Sequence, residues 1–469
     1  MGPSAGAPRM RENELAGYSG IRGDRGFRRA MRRFFIQNFG CRATQADGAA
    51  LQGLLDRAGL AEAGEAQSAD VVILNTCTVT AAADEDVRKS IHRVHRENPA
   101  ARILVTGCYA QRAPEELASL PGVAWVVGNS HKPGIPDLIR ISAAADSASA
   151  PYHGQIHVGD IGAASEFLSA PVEDSFGDRT RPNLKIQDGC SNRCSFCIIP
   201  TVRGRSRSMP LEQVLEQVKA LARNYAEIVL TGINLGRWGR ESGFRRDDRM
   251  RLTDLLRLIL DETAARRLRL SSVEPMDLSD DLLDLVASTE RICRHVHAPL
   301  QSGADAVLKR MQRRYRARHY EERIRRAHAL LPDAAFGADV MTGFPGEAEA
   351  EFRQTCELIE RLPFTYLHVF TYSARPGTPA AALPQTPTAL RKERTRVLRE
   401  LGARKNLEFR ERMRGRRLSA VTLANGTALT TNYLSVDLQR AREPGLLIEV
   451  TVGTATKRGV AEASPAPVA

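Results

Sequence analysis

The strongest constraint on this chain is a recurring alternation of short apolar runs with stretches of helical spacing. Between residues 34 and about 140 the runs are "FFIQNF", "DVVILN", "RILVTG" and "VAWVVG". Between the first two lies "QADGAALQGLLDRAG", a helical pattern ending on Gly59, and another helical stretch over about 83–97 stops before Pro99. Parallel strands need long crossovers, and helical crossovers bury both sheet faces, so this pattern predicts a parallel α/β sheet. From 183 to about 405 the alternation resumes with "NLKIQD", "EIVLTG", "RLRLSS", "HVHAPL", "FGADVMTG" and "YLHVFTYS". That is too many βα units for a small sheet and predicts a full or partial TIM-type (β/α) barrel, with chemistry at the C-terminal strand ends. After 406, "RLSAVTL", "ALTTNYLSVDL" and "LLIEVTVG", with "NG" and "PG" turns between them, predict a small β domain. The expected fold class is therefore α/β, divided into a disordered tail (1–30), an α/β domain (31–140), an Ala/Ser/Gly/Pro-rich linker (141–180), a barrel core (181–405) and a β domain with tail (406–469). Met31, just before the first strand, is a candidate for the true start.

Six of the eight cysteines fall at positions this architecture makes meaningful. Cys41, Cys77 and Cys108 each follow a predicted parallel strand by one or two residues, after "FFIQNFG", "VVILNT" and "ILVTG". The ends of parallel strands converge on one crevice, so three cysteines 31 to 36 residues apart are expected to meet in space. The other three lie in "DGCSNRCSFCIIP", where Cys190, Cys194 and Cys197 have the spacing C-x3-C-x2-C. A disulfide needs two cysteines and a closed zinc site four ligands; three suggests a metal site with one position open. A four-iron, four-sulfide cubane is ordinarily held by four cysteines, so each trio would leave one iron free for another ligand. Cys293 and Cys356 lie in apolar-patterned segments and read as core or surface thiols.

Composition sets the context for these thiols. No apolar run approaches a membrane span, and the N-terminus lacks the apolar core of a secretory signal, so a cytoplasmic enzyme is expected. The formal charge is +12 and the pI about 9.6, which favours a polyanionic partner. The charge is clustered: residues 309–326 hold nine Lys/Arg against two acids, and residues 391–417 hold twelve against four. Each run could equally be a solvated helix face.

With Phe196 before its last cysteine, the C-x3-C-x2-C run resembles the radical S-adenosylmethionine (SAM) superfamily. From about 33 to 455 the chain resembles the methylthiotransferase family within it, on "NTCTVT", "VTGCYAQ", "DGCSNRCSFCIIP", "HAPLQSGAD", "MTGFPGE" and "YSARPGTPAA". The resemblance implies a partial barrel at the centre, a TRAM-like β-barrel that binds RNA at the C-terminus, and two 4Fe–4S clusters. Cys190, Cys194 and Cys197 would hold the cluster that binds SAM, and Cys41, Cys77 and Cys108 an auxiliary cluster carrying sulfur. "RGRSRS" at 203–208, "LTGINLGRWG" at 230–239 and "SSVEP" at 271–275 resemble the branch acting on N6-threonylcarbamoyladenosine. The implied reaction is methylthiolation of carbon 2 of that base at position 37, in the tRNA anticodon stem-loop. The implied partners are tRNA, an electron donor such as flavodoxin or ferredoxin, and an unidentified sulfur donor, with a monomeric enzyme and no membrane. The branches acting on isopentenyladenosine or on a ribosomal-protein aspartate are the alternatives.

Candidate SAM contacts follow from position. Gly232 ends "EIVLTG" and lets a ligand approach the backbone. Glu274 could take a ribose hydroxyl or be a loop charge, and His297 and Gln301 could line the pocket, the histidine equally a structural one. Arg203, Arg205 and Arg207 are candidates for RNA phosphates, for the SAM carboxylate or for ion pairs on the surface. A non-catalytic metal-binding RNA protein would use the same cysteines. A cobalamin-dependent radical SAM enzyme would carry an Asp-x-His-x-x-Gly loop after an early strand, and none occurs before residue 150.

Overall fold

The computed structural model describes residues 33–144, 153–163, 180–241 and 250–463; the tail expected over 1–30 lies outside them, as does most of the stretch read as a linker. The first sheet is parallel throughout. Its strands are β1 (Arg33–Asn38), β2 (Ala61–Glu62), β3 (Val71–Thr76), β4 (Arg102–Gly107), β5 (Val123–Val127) and β6 (Gln155–His157), in the order β2-β1-β3-β4-β5-β6. Every residue of β3 is buried because alternate side chains feed two cores. Val72 and Leu74 pack with Val87 and Ile91 of the helix Ala81–Glu97, while Val71 and Ile73 pack with Leu51 and Leu55 of the helix Arg42–Arg57. β6 falls inside the stretch 141–180. It is a three-residue edge strand with Ile156 half exposed, so it carries no apolar run to announce it.

The central unit begins with β7 (Asn183–Asp188), β8 (Arg207–Ser208), β9 (Ile228–Gly232) and β10 (Leu268–Leu270), in the order β10-β9-β7-β8. β11 (His295–His297), β12 (Ala335–Thr342) and β13 (Tyr366–Thr371) form the continuation, which a parallel bridge from Leu268 to Ile292 joins to β10. Six parallel strands thus curve into an open arc, with β8 antiparallel on its outer edge: a partial barrel. One large apolar cluster fills the space between the arc and its helices. On β13, Leu367 and Val369 face that cluster, so Tyr366, His368 and Phe370 turn to the opposite, inner face.

The C-terminal strands β14 (Arg417–Thr422), β15 (Thr427–Thr430), β16 (Ser435–Asp437), β17 (Leu447–Ala455) and β18 (Val460–Glu462) close into a barrel. Phe409 and Met413, from the end of the helix Thr388–Arg412 and just beyond it, enter its core. The small barrel is fixed to the arc by a buried ion cluster. Arg269 holds Glu227 at 2.8 Å and donates to the Thr430 and Thr431 carbonyls at 2.9 and 3.2 Å. Burial pushes the Glu227 carboxyl up, but the guanidiniums of Arg269, Arg181 and Arg267 outweigh it and hold its pKa down to about 2.

Candidate active site: two cysteine trios on one packed wall

Cys41 caps the helix after β1, Cys77 follows β3, and Cys108 opens the short helix Cys108–Arg112 after β4. Because β1, β3 and β4 are neighbours in the sheet, the three cysteines stand side by side at its C-terminal edge. The turn before Cys41 needs glycine: Gly40 has φ +101, and a Cβ there would lie 2.5 Å from Cys77 Cβ. Cys77 and Cys108 are buried. Burial, then the proximity of Cys108 and Cys41, pushes the Cys77 thiol up to about 12.

The second trio occupies the loop between β7 and the helix Ile199–Arg203. Gly189, with φ +68 and its would-be Cβ only 2.0 Å from the Arg205 carbonyl oxygen, turns the chain into that loop. Burial pushes the Cys197 thiol up to about 12, with Cys194 and Cys190 adding to the effect. Nitrogen donors point at the sulfurs: the Asn192 amide at 3.4 Å and Asn234 Nδ2 at 3.7 Å to Cys190, and Arg313 Nη1 at 3.3 Å to Cys194. N–H groups on sulfur stabilise thiolate, so this donor set suits metal-bound cysteines. All eight cysteines are free thiols. Among the described residues, the donor group gathered within 4.8 Å is His297, Asp339 and His368; neither cysteine trio is drawn in that closely.

The two trios share a wall. Cys108 packs with Ile198 and Val202, which follow Cys197. Arg203, the next residue, is 2% exposed, and its Nε donates to Cys108 Sγ at 3.2 Å. Its other nitrogens donate to Asp188 Oδ1 and Asp47 Oδ2, each at 2.9 Å. Arg203, expected to meet an RNA phosphate, SAM or a surface ion pair, does neither the first nor the last: solvent does not reach it and its ion pairs are internal. Arg205 is exposed, and Arg207 lies at the edge of the same network, 3.8 Å from Asp188. A second buried clamp joins the units: Asp84, beside the first trio, accepts from Arg112 at 3.0 Å and from Arg375 of "YSARPGTPAA" at 2.6 Å.

The other sequence candidates surround the second trio and the inner face. Gly232 lies against Gln187, whose amide donates to the carbonyls of Asp188 and Gly189 and whose Oε1 accepts from the Asn234 amide at 2.6 Å. Glu274 pairs with Arg313, the residue on Cys194, and burial raises its pKa despite that pairing. His297 Nδ1 meets Ser272 Oγ at 2.6 Å, and its Nε2 faces Asp339 at 3.3 Å without a hydrogen-bond partner. Gln301 is left-handed, φ 63, with its backbone zipped to Asp339 and Met341. His368 joins Asp339 at 3.2 Å, and Phe370 is 44% exposed on the same face. Burial raises the Asp339 carboxyl, but His297 and His368 outweigh it and hold it below the usual range. Sequence reasoning missed Asp47, Lys185, Asp188, Arg313, Asp339 and His368. Lys185 and Asp339 had one available signal, a charge inside an otherwise apolar strand, "NLKIQD" and "FGADVMTG".

Residues 33–128 match the family model described as Uncharacterized protein family UPF0004, and residues 184–359 match the Radical SAM superfamily. The chain is 37% identical over 419 residues to the threonylcarbamoyladenosine tRNA methylthiotransferase MtaB of Aquifex aeolicus, covering 89% of this chain and 99% of that protein. It is 35% identical over 365 residues to the tRNA-2-methylthio-N(6)-dimethylallyladenosine synthase of Syntrophotalea carbinolica, covering 76% and 80%. In fold it is similar to the radical SAM methyltransferase TsrM of Kitasatospora setae, solved with tryptophan and a SAM analogue, at a TM-score of 0.57 and 17% identity over 75% of each chain.

Proposed function

The chain belongs to the radical SAM tRNA methylthiotransferase family, and from that premise we propose that it methylthiolates carbon 2 of N6-threonylcarbamoyladenosine at position 37 of tRNA. It is a SAM-dependent iron–sulfur enzyme that modifies tRNA. The observation that carries the proposal is the pairing of two cysteine trios across one buried wall, where Cys108 packs on Ile198 and Val202 and accepts from Arg203. The choice of base rests on the relative whose length the chain spans almost completely. The tRNA-2-methylthio-N(6)-dimethylallyladenosine synthase, at 35% identity, supports the isopentenyladenosine reading as the second choice.

In this reading Cys190, Cys194 and Cys197 hold the SAM cluster, and Cys41, Cys77 and Cys108 the auxiliary one. When bound, the clusters and SAM supply a 5′-deoxyadenosyl radical and a methylated sulfur, which an aryl C–H needs because it offers acid and base no handle. The protein's part is to hold, orient and shield. Gln187 braces the start of the SAM-cluster loop, and Gly232 lets it pack there, since a Cβ at 232 would lie 2.9 Å from Gln187 Cβ. Arg313 fixes Cys194 and Glu274 together, so a ligand hydroxyl reaching Glu274 is referenced to the cluster. His297, Asp339 and His368 offer a carboxylate and imidazole nitrogens to the base, with Phe370 beside them as an apolar surface. Gln301, held left-handed at the end of this face, completes the wall.

The substrate is a polyanion, and cationic side chains lie near the inner face. A cavity of about 430 Å³ opens between β13, the helix Thr388–Arg412 and the small barrel, lined by Arg399, Arg410, Arg458, His368 and Tyr433 among others. Much of the basic run at 309–326 is instead consumed in pairs, such as Arg310 with Glu351 and Arg323 with Asp280, and is a solvated helix face. We assign the electron supply to a flavodoxin- or ferredoxin-type donor and the working form to a cytoplasmic monomer; no described helix is long and apolar enough to cross a membrane.

The test is mass spectrometry of tRNA nucleosides from a strain lacking the gene and from the strain restored with it. The proposal expects the 2-methylthio form of threonylcarbamoyladenosine to vanish and return. Loss of the isopentenyl derivative instead would reassign the base, and unchanged tRNA would reject both.

A further inference from the structure

Arg203 sits in a buried cluster of three cations and two carboxylates. Lys132 donates to Asp47 at 2.9 Å, Lys185 bridges Asp47 and Asp188, and Arg203 bonds both carboxylates. All five side chains are buried, which sets three cations against two carboxylates. Cations outnumber carboxylates among these five side chains, and a cation in a dry interior is stabilised by each further anion within reach. The Arg203 nitrogen not aimed at a carboxylate points at Cys108 Sγ, and Thr44 Oγ1 lies 3.5 Å from both Arg203 Nη2 and Cys41 Sγ. A four-iron cubane in its oxidised resting state carries two positive charges; three thiolates leave the assembly with one negative charge.

We propose that Arg203 is a positioning residue for the auxiliary cluster: its fixed charge balances the cluster on Cys41, Cys77 and Cys108 and so sets that cluster's reduction potential. The inference rests on the ligand assignment made above. The same guanidinium holds Asp188, two residues before Cys190, so it also keeps the two cluster loops in one register. A cation donating to a ligand sulfur favours the more negative, reduced state, and the potential rises with it.

The experiment uses the full chain with Cys190, Cys194 and Cys197 changed to Ala, so that only the auxiliary cluster reports. Iron is counted, then the potential is measured by EPR-monitored redox titration in this background and with Arg203→Gln, Arg203→Lys or Asp47→Asn added. Both Arg203→Gln and Asp47→Asn delete buried hydrogen bonds, but they change the local charge in opposite directions. The proposal expects Arg203→Gln to lower the potential, Asp47→Asn to raise it, and Arg203→Lys to stay near the parent. If Arg203→Gln binds no iron, the upward shift in Asp47→Asn decides. Shifts of the same sign, or none with iron retained, overturn the electrostatic role. A parent protein without iron rejects the ligand assignment itself.

Discussion

Replacing Gly40 by alanine is expected to remove one cluster and spare the other. At φ +101 an alanine costs about 1–2 kcal/mol, because its Cβ meets the neighbouring backbone. The larger effect is local: the new methyl would lie 2.5 Å from Cys77 Cβ and 2.9 Å from its sulfur. Carbon atoms settle about 3.5–4.0 Å apart, so Cys77 must retreat by roughly 1 Å. Metal ligation tolerates about 0.2 Å in ligand distance, so the sulfur leaves the cluster while the sheet behind it can persist. Gly189→Ala makes the reciprocal change: its methyl would lie 2.0 Å from the Arg205 carbonyl oxygen and displace the loop that begins at Cys190. After anaerobic reconstitution, each variant is expected to hold about half the iron of wild type. Gly40→Ala should still cleave SAM under dithionite and make no methylthio product, whereas Gly189→Ala should do neither. Full iron in Gly40→Ala, or loss of SAM cleavage with its thermal unfolding unchanged, would refute the steric reasoning.

Glu227→Gln leaves Arg181, Arg267 and Arg269 without their carboxylate and is expected to cost about 3–5 kcal/mol in urea denaturation. In the wild type, the fall of the Glu227 pKa from 4.5 to about 2 corresponds to about 3 kcal/mol. That stability is complete above about pH 4.5 and is lost as pH falls toward about 2, so the variant should show a flatter acid limb. Arg375→Ala cuts the clamp on Asp84 while Arg112 remains, and a loss of about 1–3 kcal/mol is expected, with proteolysis reporting looser attachment of the first sheet. Asp339→Asn should keep iron and SAM cleavage but lower methylthio product about 10- to 100-fold, the worth of one charged hydrogen bond; unchanged product would remove Asp339 from base recognition.

The chain announces its scaffold more clearly than the chemistry held on it. "DVVILN" and "RILVTG" name β3 and β4 because strands buried on both faces must be apolar along their whole length, and the cysteines that follow them inherit a position from that rule. β6 stayed hidden because an exposed edge strand needs no apolar run. Arg203 was misread for a different reason: in "RGRSRS" three arginines look alike, and only packing against Cys108 makes the first internal while leaving Arg205 in solvent. His297 was visible as a residue at a strand end, but its partners Asp339 and His368 come from two other strands. Pairings across parallel strands depend on register, which no local pattern encodes.

The proposed enzyme depends on two separate trios of cysteine, each holding a cluster of its own. Iron and sulfide counting on reconstituted wild type and on two triple variants tests it most directly: Cys41, Cys77 and Cys108 to Ala, and Cys190, Cys194 and Cys197 to Ala. About eight irons are expected in wild type and about four in each variant, the four surviving in the first being those that bind and cleave SAM. A variant that keeps all the iron, or one that loses all of it while remaining folded, would contradict it.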